Sequence, residues 1–309
     1  MRTGLAGRGH ETLFITPEAF RTVPCPSYAE IRLAMTRPAT IGRRIEAFAP
    51  NAIHIATEGP LGWMARSWCL GRGYPFTTAF HTRFPHYLHS RWRIPLGATY
   101  AILRRFHDSS SGIMVATQTI EDELTARGFT RIRRWTRGVD TALFRPGDKN
   151  FLAFERPISL FVGRVAVEKN IEDFLRLPLP GVKVVIGDGP QRADLESKYP
   201  EVRFLGNKVG AELARHYAAA DVFVFPSRTD TFGLVILEAL ACGVPVAAYP
   251  APGPLDVIGH SGAGALADDL GAAVHAALAI PPQRCRAHAE SFSWERSVDQ
   301  FVDNLFVFR

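Results

Sequence analysis

Short apolar runs alternate with stretches of helical periodicity along almost the whole chain. In the first half, apolar strand-like runs lie at 12–15, 52–56, 76–80 and 113–116, and helical patterns lie between them at 41–48, 61–70 and 120–126. Unbroken apolar strands that alternate with helices are typical of a parallel sheet covered on both faces. The first half therefore predicts an α/β domain.

The pattern restarts after residue 150. Residues 137–150 contain Gly, Pro and Asp without periodicity, which indicates a linker. Beyond it, strands are predicted at 158–162, 182–186, 202–205, 222–225 and 244–247, and helices at 168–175, 191–198, 211–219, 232–241 and 268–279. This is a second doubly wound unit. A final helix is predicted at 298–306 with Ser293 as its N-cap, so we expect domains at 1–140 and 141–293.

Charge is divided unevenly between the halves. The chain of 309 residues has a net charge of +6. Residues 1–150 carry 21 Lys and Arg against 11 Asp and Glu, whereas residues 151–309 carry 15 against 19. A basic half suits nucleic acid, anionic lipid or an acidic substrate. A solvated basic surface without a ligand is an equal alternative.

The cysteines and the apolar segments bear on location. The four cysteines lie far apart, without a CxxC pair, which favours free thiols in a reducing compartment. Residues 1–10 are polar and basic and do not resemble a signal peptide. The apolar stretch 232–249 contains Glu238 and Pro245, so it does not predict a membrane span. We expect a cytoplasmic protein, with peripheral attachment to the inner face of the plasma membrane as an option.

The first candidate loop follows the predicted strand 158–162. Gly163 allows the backbone to come close to a ligand, and Arg164 and Lys169 place two cations near the start of the next helix. Cations beside a helix N-terminus suit a diphosphate. Because Arg and Lys also line ordinary surfaces, this loop alone is a weak signal.

The second candidate loop follows the predicted strand 182–186 and consists of Gly187, Asp188, Gly189 and Pro190. Two glycines around an aspartate give a tight turn with room for a flat or phosphorylated ligand. It is not the dinucleotide-binding fingerprint, because G-x-G-x-x-G is not completed. An ordinary strand-to-helix turn is the alternative.

The third candidate loop follows the predicted strand 222–225. Asp230 stands at the mouth of the next helix, and Glu238 lies two turns inside it, on the side that can face a ligand. A carboxylate in an apolar helix is costly to bury without a partner, and ribose hydroxyls would satisfy it. Free N–H groups for phosphate or sugar come from the turn formed by Thr231, Phe232, Gly233 and Leu234.

Together these motifs resemble a known family. The chain reads G-R…E-K-N at 163–170, G-D-G-P at 187–190, F-L-G at 204–206 and S-R-T-D-T-F-G-L-V-I-L-E-A-L-A-C-G-V-P-V at 227–246. It is similar to the retaining glycosyltransferases of the mannosyltransferase/sucrose-synthase-like family. The resemblance covers essentially the whole chain and implies the GT-B fold, in which two Rossmann-like doubly wound domains face a cleft.

Three motifs in the first half narrow the resemblance to a branch. They are T-E-G-P-L-G at 57–62, F-H-T-R-F-P at 80–85 and R-G-V-D at 137–140. They look like the branch of GDP-mannose-dependent α-mannosyltransferases and sulfoquinovosyl-diacylglycerol synthases.

The resemblance implies roles for five side chains. Asp230 would face the donor sugar and Glu238 the ribose, although the family usually has Glu at the first of these two positions. Arg164 and Lys169 would neutralise the diphosphate, and His81 would lie beside the transferred sugar. A satisfied structural histidine is the alternative for His81. Glu58, after another predicted strand, is a weaker candidate for touching the acceptor.

The N-terminus departs from the family pattern. Such proteins normally begin with a strand, a glycine-rich loop and a helix that ends in R-G-H-E, and here R-G-H-E stands at 8–11. We therefore expect the first domain to lack its first strand, either because the true start lies upstream or because the chain is a degraded copy. The resemblance also implies that the C-terminal helix, at 294–309, packs back on the first domain.

The expected reaction transfers a hexosyl group, mannose as first choice, from a nucleoside diphosphate to an acceptor hydroxyl with retention. The donor, GDP-mannose or a UDP-sugar, is a substrate, so no cofactor is expected. No Asp-x-Asp pair lies at a suitable strand end, so we also expect no divalent metal. Rival readings are a truncated, non-catalytic sugar-nucleotide-binding protein and a nucleotide-sugar epimerase of the same architecture.

A mixed basic and aromatic segment bears on the acceptor. Arginines interleave with aromatic residues there, namely Arg83, Arg91, Arg93, Arg104 and Arg105 with Phe84, Tyr87, Trp92 and Tyr100. Such a mixture suits an anionic membrane surface and favours a lipid or glycolipid acceptor. An ordinary basic surface is the alternative, and nucleic acid is not expected because no recognised module is present.

Overall fold

The computed structural model describes residues 1–25 and 28–308, with backbone alone at residues 28–30, 90 and 91. The chain divides into two compact units. The first comprises Met1–Thr136 with Ser297–Arg309, and the second comprises Arg137–Arg296.

The strands, in chain order, are β1 Arg21–Cys25, β2 Tyr28–Met35, β3 His54–Ile55, β4 Thr77–Phe80, β5 Gly112–Val115, β6 Ile132–Arg134, β7 Ile158–Val162, β8 Val182–Ile186, β9 Arg203–Phe204, β10 Val222–Phe225, β11 Val246–Ala248 and β12 Gly264–Leu266.

The α-helices are α1 Arg2–Ala6, α2 Pro38–Phe48, α3 Pro60–Arg72, α4 Phe84–Trp92, α5 Leu96–His107, α6 Gln118–Ala126, α7 Ile171–Arg176, α8 Arg192–Lys198, α9 Gly210–Ala219, α10 Leu234–Ala241, α11 Pro252–Val257, α12 Leu270–Ala277, α13 Pro282–Glu290 and α14 Trp294–Asn304. Two 3₁₀ helices cover Pro17–Ala19 and Val167–Lys169.

The second unit is built on a parallel sheet of six strands in the order β12-β11-β10-β7-β8-β9. Strands β7, β10 and β11 are buried at every position. This is why their sequences are unbroken apolar runs, since both faces of the sheet are covered. The side chains of β7 pack with those of α7 and α12 in one continuous core.

The strand order reverses beside β7. The chain fills one side of β7 with β8 and β9, then crosses to place β10 on its other side. At such a switch point the loops after the two neighbouring strands diverge and leave a crevice at the carboxyl edge of the sheet. The loops at 163–170 and 226–233 are the two that leave β7 and β10 at this edge.

The first unit contains a parallel sheet in the order β3-β4-β5-β6 and a separate antiparallel hairpin of β1 and β2. One face of the sheet meets α1 and α14 through Leu5, Val298 and Phe301, which pack with Ala79 and Met114. The expectation of parallel α/β sheets in two units is confirmed. The hairpin was not foreseen from the sequence.

The strand predicted at 12–15 was wrong, because residues 11–16 form no regular element. Leu13 and Phe14 are 45% and 43% exposed. A strand needs a neighbouring backbone to complete its hydrogen bonds. Among the described residues no strand pairs with this segment, so its apolar pattern alone does not order it as a strand.

Two helices near the candidate loops also differ from prediction. The helix predicted at 168–175 is split, because Asn170 adopts a left-handed conformation with φ of 51° between Val167–Lys169 and α7. The helix predicted from 232 begins at Leu234 after Gly233. Glu238 therefore lies little more than one turn inside α10, not two.

We searched the part of the chain with described coordinates for a helix long and apolar enough to cross a membrane, and none was found.

The packing of α2 against α3 gives a test of the first unit. A Cβ atom at Gly42 in α2 would lie 1.9 Å from Nε1 of Trp68, whereas one at Gly71 in α3 would meet no atom within 4 Å. Gly42→Ala should lower the free energy of unfolding by about 1–3 kcal/mol through overpacking. Gly71→Ala, the matched control, should raise it by about 0.5–1 kcal/mol through helix propensity. Urea unfolding measures both, and equal midpoints would contradict this packing.

Candidate functional site

Two of the predicted loops in the second unit are joined by backbone hydrogen bonds. The N–H of Val165 donates to the carbonyl of Asp188 at 3.0 Å, and the N–H of Gln191 donates to the carbonyl of Val165 at 3.1 Å. Gly187 has φ of 134°, and a Cβ there would lie 1.9 Å from the carbonyl oxygen of Gly163. Glycine is therefore required at 187 for this close approach.

An ion pair joins the loops on either side of the switch point. Lys169 Nζ lies 2.5 Å from Asp230 Oδ1, and the two side chains are only 20% and 17% exposed. The Thr229 hydroxyl donates to the carbonyl of Glu168 at 3.0 Å and ties the same two loops together. Lys169 and Asp230, chosen from separate sequence motifs, thus meet at the crevice of the sheet.

The second carboxylate oxygen of Asp230 is the unusual atom of this site. Asp230 Oδ2 is buried and has no hydrogen-bond partner among the described residues. Leaving a buried acceptor unsatisfied costs about 1–3 kcal/mol. Gly253, in α11, lies directly behind this loop, because a Cβ there would lie 3.2 Å from the carbonyl oxygen of Asp230. The loop is thus held firmly with an acceptor left unpaired.

The turn that follows Asp230 leads into α10. Gly233 caps the helix with φ of 80° and ψ of 70°, a left-handed conformation that favours glycine. Thr231 and Phe232 are buried, whereas Leu234 is 42% exposed. The first N–H groups of α10 have no partner within the helix and carry partial positive charge.

Glu238 is held by a side chain that the sequence reasoning missed. The hydroxyl of the fully buried Tyr217 donates to Glu238 Oε2 at 3.0 Å. Burial raises the pKa of Glu238 above its ordinary value, and the hydrogen bond from Tyr217 opposes this in part. Burial and the neighbouring Glu238 carboxylate raise the pKa of Tyr217 as well. No sequence signal pairs residue 217 with 238, since they lie on α9 and α10.

The remaining predicted residues line the same edge. Gly163 and Arg164 follow β7 directly and are half-buried, as is Gly189. Asp188 is exposed, and its carboxylate accepts from its neighbours, Gly189 N at 2.8 Å and Arg192 Nη1 at 3.3 Å. Its contacts are therefore local to the turn, and Pro190 is exposed beside it.

The other predicted residue, His81, belongs to the first unit. It directly follows β4 and is half-buried, with its ring 5.5 Å from that of Trp135. Parallel strands present their carboxyl ends at one edge of a sheet. His81 thus occupies the edge of its own sheet that corresponds to the crevice edge of the second unit.

The basic and aromatic segment after His81 is partly internal, which corrects its reading as an exposed surface. Arg83 Nη2 pairs with Glu123 Oε2 at 2.8 Å, and their side chains are 12% and 16% exposed. The Tyr100 hydroxyl donates to Glu123 Oε1 at 2.8 Å. Burial alone would raise the pKa of Glu123, but hydrogen bonds from His86 and Tyr100 and the charge of Arg83 lower it to about 2. The ionised Glu123 carboxylate therefore holds the Arg83 side chain in a partly buried position.

Other members of that segment face solvent. Phe84 is 48% exposed and Trp92 50% exposed, and Arg93, Arg104 and Arg105 are exposed. Tyr87 is half-buried, and the side chain of Arg91 lies outside the described residues.

Family models match both parts of the chain. Residues 1–143 match the model described as Glycosyltransferase Family 4, and residues 156–280 match the model described as Glycosyl transferases group 1.

Curated relatives carry matching names. A GDP-mannose-dependent α-mannosyltransferase of Mycolicibacterium smegmatis is 31% identical over 84% of this chain and 76% of its own length. One of the same name from Mycobacterium tuberculosis is 35% identical over 70% of this chain, and sulfoquinovosyl transferase SQD2 of Arabidopsis thaliana is 32% identical over 81%. The matches span 60% and 55% of the lengths of these last two relatives.

Solved structures share the fold. A sucrose-phosphate synthase from Thermosynechococcus elongatus has a TM-score of 0.72 at 23% identity, with 86% of this chain and 75% of that chain covered. Anabaena HepE in complex with UDP has a TM-score of 0.69 at 16% identity, with 86% and 80% covered. The parallel sheets of the two α/β units, the matched family models and the relatives together show that this chain belongs to the group 1 glycosyltransferases with the GT-B fold.

Proposed function

We propose that this protein is a retaining hexosyltransferase that moves mannose from GDP-mannose to an acceptor hydroxyl. The observation that carries the proposal is the buried, unpartnered Oδ2 of Asp230 beside the Lys169 ammonium at the switch point. A sugar hydroxyl would donate the missing hydrogen bond, and a diphosphate would meet the cation. One sugar diphosphate thus satisfies both requirements of the site.

The chemical difficulty is the leaving group. As the bond between the anomeric carbon and the diphosphate oxygen breaks, negative charge builds on the diphosphate. Arg164, Lys169 and the first N–H groups of α10 supply positive charge on that side. Lys169 is held in place before the reaction by its ion pair with Asp230, so it needs little reorganisation as the charge develops.

The two carboxylates take different parts of the donor. Asp230 accepts from a hydroxyl of the transferred sugar and at the same time holds Lys169 in position. Glu238 accepts from the ribose hydroxyls, which compensate for the burial of its charge. For His81, the family resemblance supports a contact with the transferred sugar. No step requires a divalent metal, and no cluster of metal-binding side chains occurs among the residues with described positions.

The choice of donor rests on the relatives. Three of the similar curated proteins are named for GDP-mannose, whereas solved structures of similar fold contain UDP or UDP-glucose. Sequence identity to the named mannosyltransferases is higher than to the UDP-bound structures. GDP-mannose is therefore the first donor to test.

The proposed function is tested by a donor screen in EDTA with GDP-mannose, UDP-glucose and UDP-sulfoquinovose. Of the three donors, we expect only GDP-mannose to be cleaved, and GDP to be released at the same rate with and without EDTA. Lys169→Ala should weaken GDP binding by about 10–100-fold, since a charge-assisted contact contributes about 1.5–3 kcal/mol, and should leave guanosine binding unchanged. Lys198→Ala, whose lysine pairs with Glu172 elsewhere in the unit, is the matched control.

Three results of that screen would contradict the proposed function or its mechanism. Binding of GDP without turnover of any donor would favour a non-catalytic binding protein, and conversion of the sugar without its release would favour an epimerase. Loss of all turnover in EDTA would overturn the metal-independent mechanism.

The raised pKa of Glu238 predicts that this residue lowers the stability of the ligand-free protein at pH 7 and contributes to ligand binding. A carboxyl whose pKa is higher in the folded than in the unfolded state favours folding at low pH, and this contribution is lost as pH rises through the folded value. Glu238→Gln removes the charge. The melting temperature of the ligand-free variant should therefore be higher than that of the wild type at pH 7 and equal to it at pH 4. Its affinity for GDP should fall. Glu196→Gln, at an exposed position, should change neither, and a lower melting temperature for Glu238→Gln at pH 7 would contradict the assignment.

We propose a lipid or glycolipid acceptor reached from the inner face of the membrane. Support comes from the exposed residues Phe84 and Trp92, at the two ends of α4, and from the exposed Arg93, which follows Trp92. Aromatic rings enter the interface, and arginines attract anionic headgroups.

Flotation with vesicles that contain phosphatidylserine tests this surface. The wild type should float at low salt, and Trp92→Ser should bind less. Leu255→Ser, at a residue of the second unit that is 43% exposed, should bind as the wild type does. Equal flotation of the two variants, or no flotation of the wild type, would contradict the proposal.

A further inference from the structure

A carboxylate, Glu58, also follows a strand at the carboxyl edge of the first sheet. Strands β3 and β4 are parallel, with Ile55 opposite Thr78. Glu58 lies in the segment that joins β3 to α3, and His81 directly follows β4. Because parallel strands end at one edge of a sheet, both residues belong to the carboxyl edge of the first unit.

Glu58 is fixed from behind by a buried histidine. Glu58 Oε1 lies 3.2 Å from Nε2 of His107, whose side chain is 0% exposed. Nδ1 of His107 lies 2.8 Å from the Thr78 hydroxyl, which donates to Ser110 Oγ at 3.3 Å. Ser110 in turn donates to the carbonyl of Gly112 at 3.3 Å. A continuous polar chain thus runs from a backbone carbonyl in the sheet to one oxygen of Glu58.

Apolar rings prevent His107 from turning. The ring centroids of Phe106, Phe129 and Phe80 lie 5.0, 6.1 and 6.3 Å from that of His107. A polar network in such surroundings is costly unless each member is satisfied, and when satisfied it is rigid. The carboxylate at its end is held accordingly.

The other oxygen of Glu58 is different. Oε2 makes no hydrogen bond to the described residues and is not among their buried unpartnered atoms. The carboxylate is thus oriented through Oε1 while Oε2 remains accessible. An ionised carboxylate accepts hydrogen bonds from hydroxyls and repels phosphate and carboxylate groups.

We propose that Glu58 binds a hydroxyl of the acceptor through Oε2, that His107 is its positioning residue, and that the acceptor group at this subsite is a neutral polyol or sugar. This assignment rests on the proposed transferase function. It adds the chemical class of the acceptor group: an uncharged hydroxyl-bearing group binds at Glu58, and an anionic one is disfavoured.

The test measures how the donor sugar partitions between water and an added acceptor. GDP-mannose is incubated with 1 M glycerol or with sn-glycerol 3-phosphate, two probes with one carbon frame and different charge. The wild type should form mannosyl-glycerol in preference to the phosphate product. Glu58→Ala should lower the ratio of mannosyl-glycerol to free mannose about tenfold, the effect of losing one hydrogen bond of about 1.4 kcal/mol, with the KM for GDP-mannose unchanged.

Variants of the supporting histidine separate positioning from folding. His107→Phe should lower the ratio as Glu58→Ala does, and His107→Gln, which keeps an N–H donor, should restore part of it. Glu46→Ala, at a carboxylate that pairs with Arg72 on α3, is the matched control and should partition as the wild type.

Three results would overturn the assignment. The first is an unchanged ratio of mannosyl-glycerol to free mannose in Glu58→Ala, and the second is a parallel change in the KM of this variant for GDP-mannose. The third is transfer of mannose by the wild type only to water or to glycerol 3-phosphate. Absence of GDP release in the wild type would instead overturn the proposed function and this assignment with it. Release with an unchanged ratio would overturn the assignment alone.

Discussion

The ion pair between Lys169 and Asp230 depends on the order of the strands in the second sheet. β10 lies on the opposite side of β7 from β8, so the loops after β7 and β10 border one crevice. There Lys169 and Asp230, which are 61 residues apart in sequence, form the ion pair. The pair leaves Asp230 Oδ2 buried and unsatisfied. The proposed donor site follows from this single arrangement, since it supplies a cation for the diphosphate and an acceptor for a sugar hydroxyl at one point.

The two carboxylates of the proposed donor site differ in what they lack. Asp230 already has its counter-charge and lacks only a hydrogen-bond donor. Glu238 has a donor in Tyr217 but no counter-charge among the described residues, and burial raises its pKa. Hydroxyl groups of one ligand would relieve both. Glu58 in the first unit differs from both, because its Oε1 contacts the buried His107 while its other oxygen remains accessible.

The sequence predicted the parts of this structure that a local pattern determines. Apolar runs such as 158–162 became buried strands, and the motif loops at 163–170 and 187–190 lie at the carboxyl edge as expected. The strand predicted at 12–15 is not formed, because strand formation depends on a neighbouring strand and not only on residue type. The partnership of Tyr217 with Glu238 and the chain behind Glu58 could not be foreseen, because they join residues on separate elements. Arg83 was read as a surface cation because nothing local indicates that Glu123 draws it inward.

The roles of the site residues follow from one claim, that a sugar diphosphate binds where these loops meet. Hydrogen exchange measured by mass spectrometry with and without GDP tests it most directly. The account predicts slower amide exchange in peptides that cover 163–170, 187–191 and 226–235, with little change in β9 or α13. Protection confined to other segments at saturating GDP, with exchange in those three loops unchanged, would contradict it.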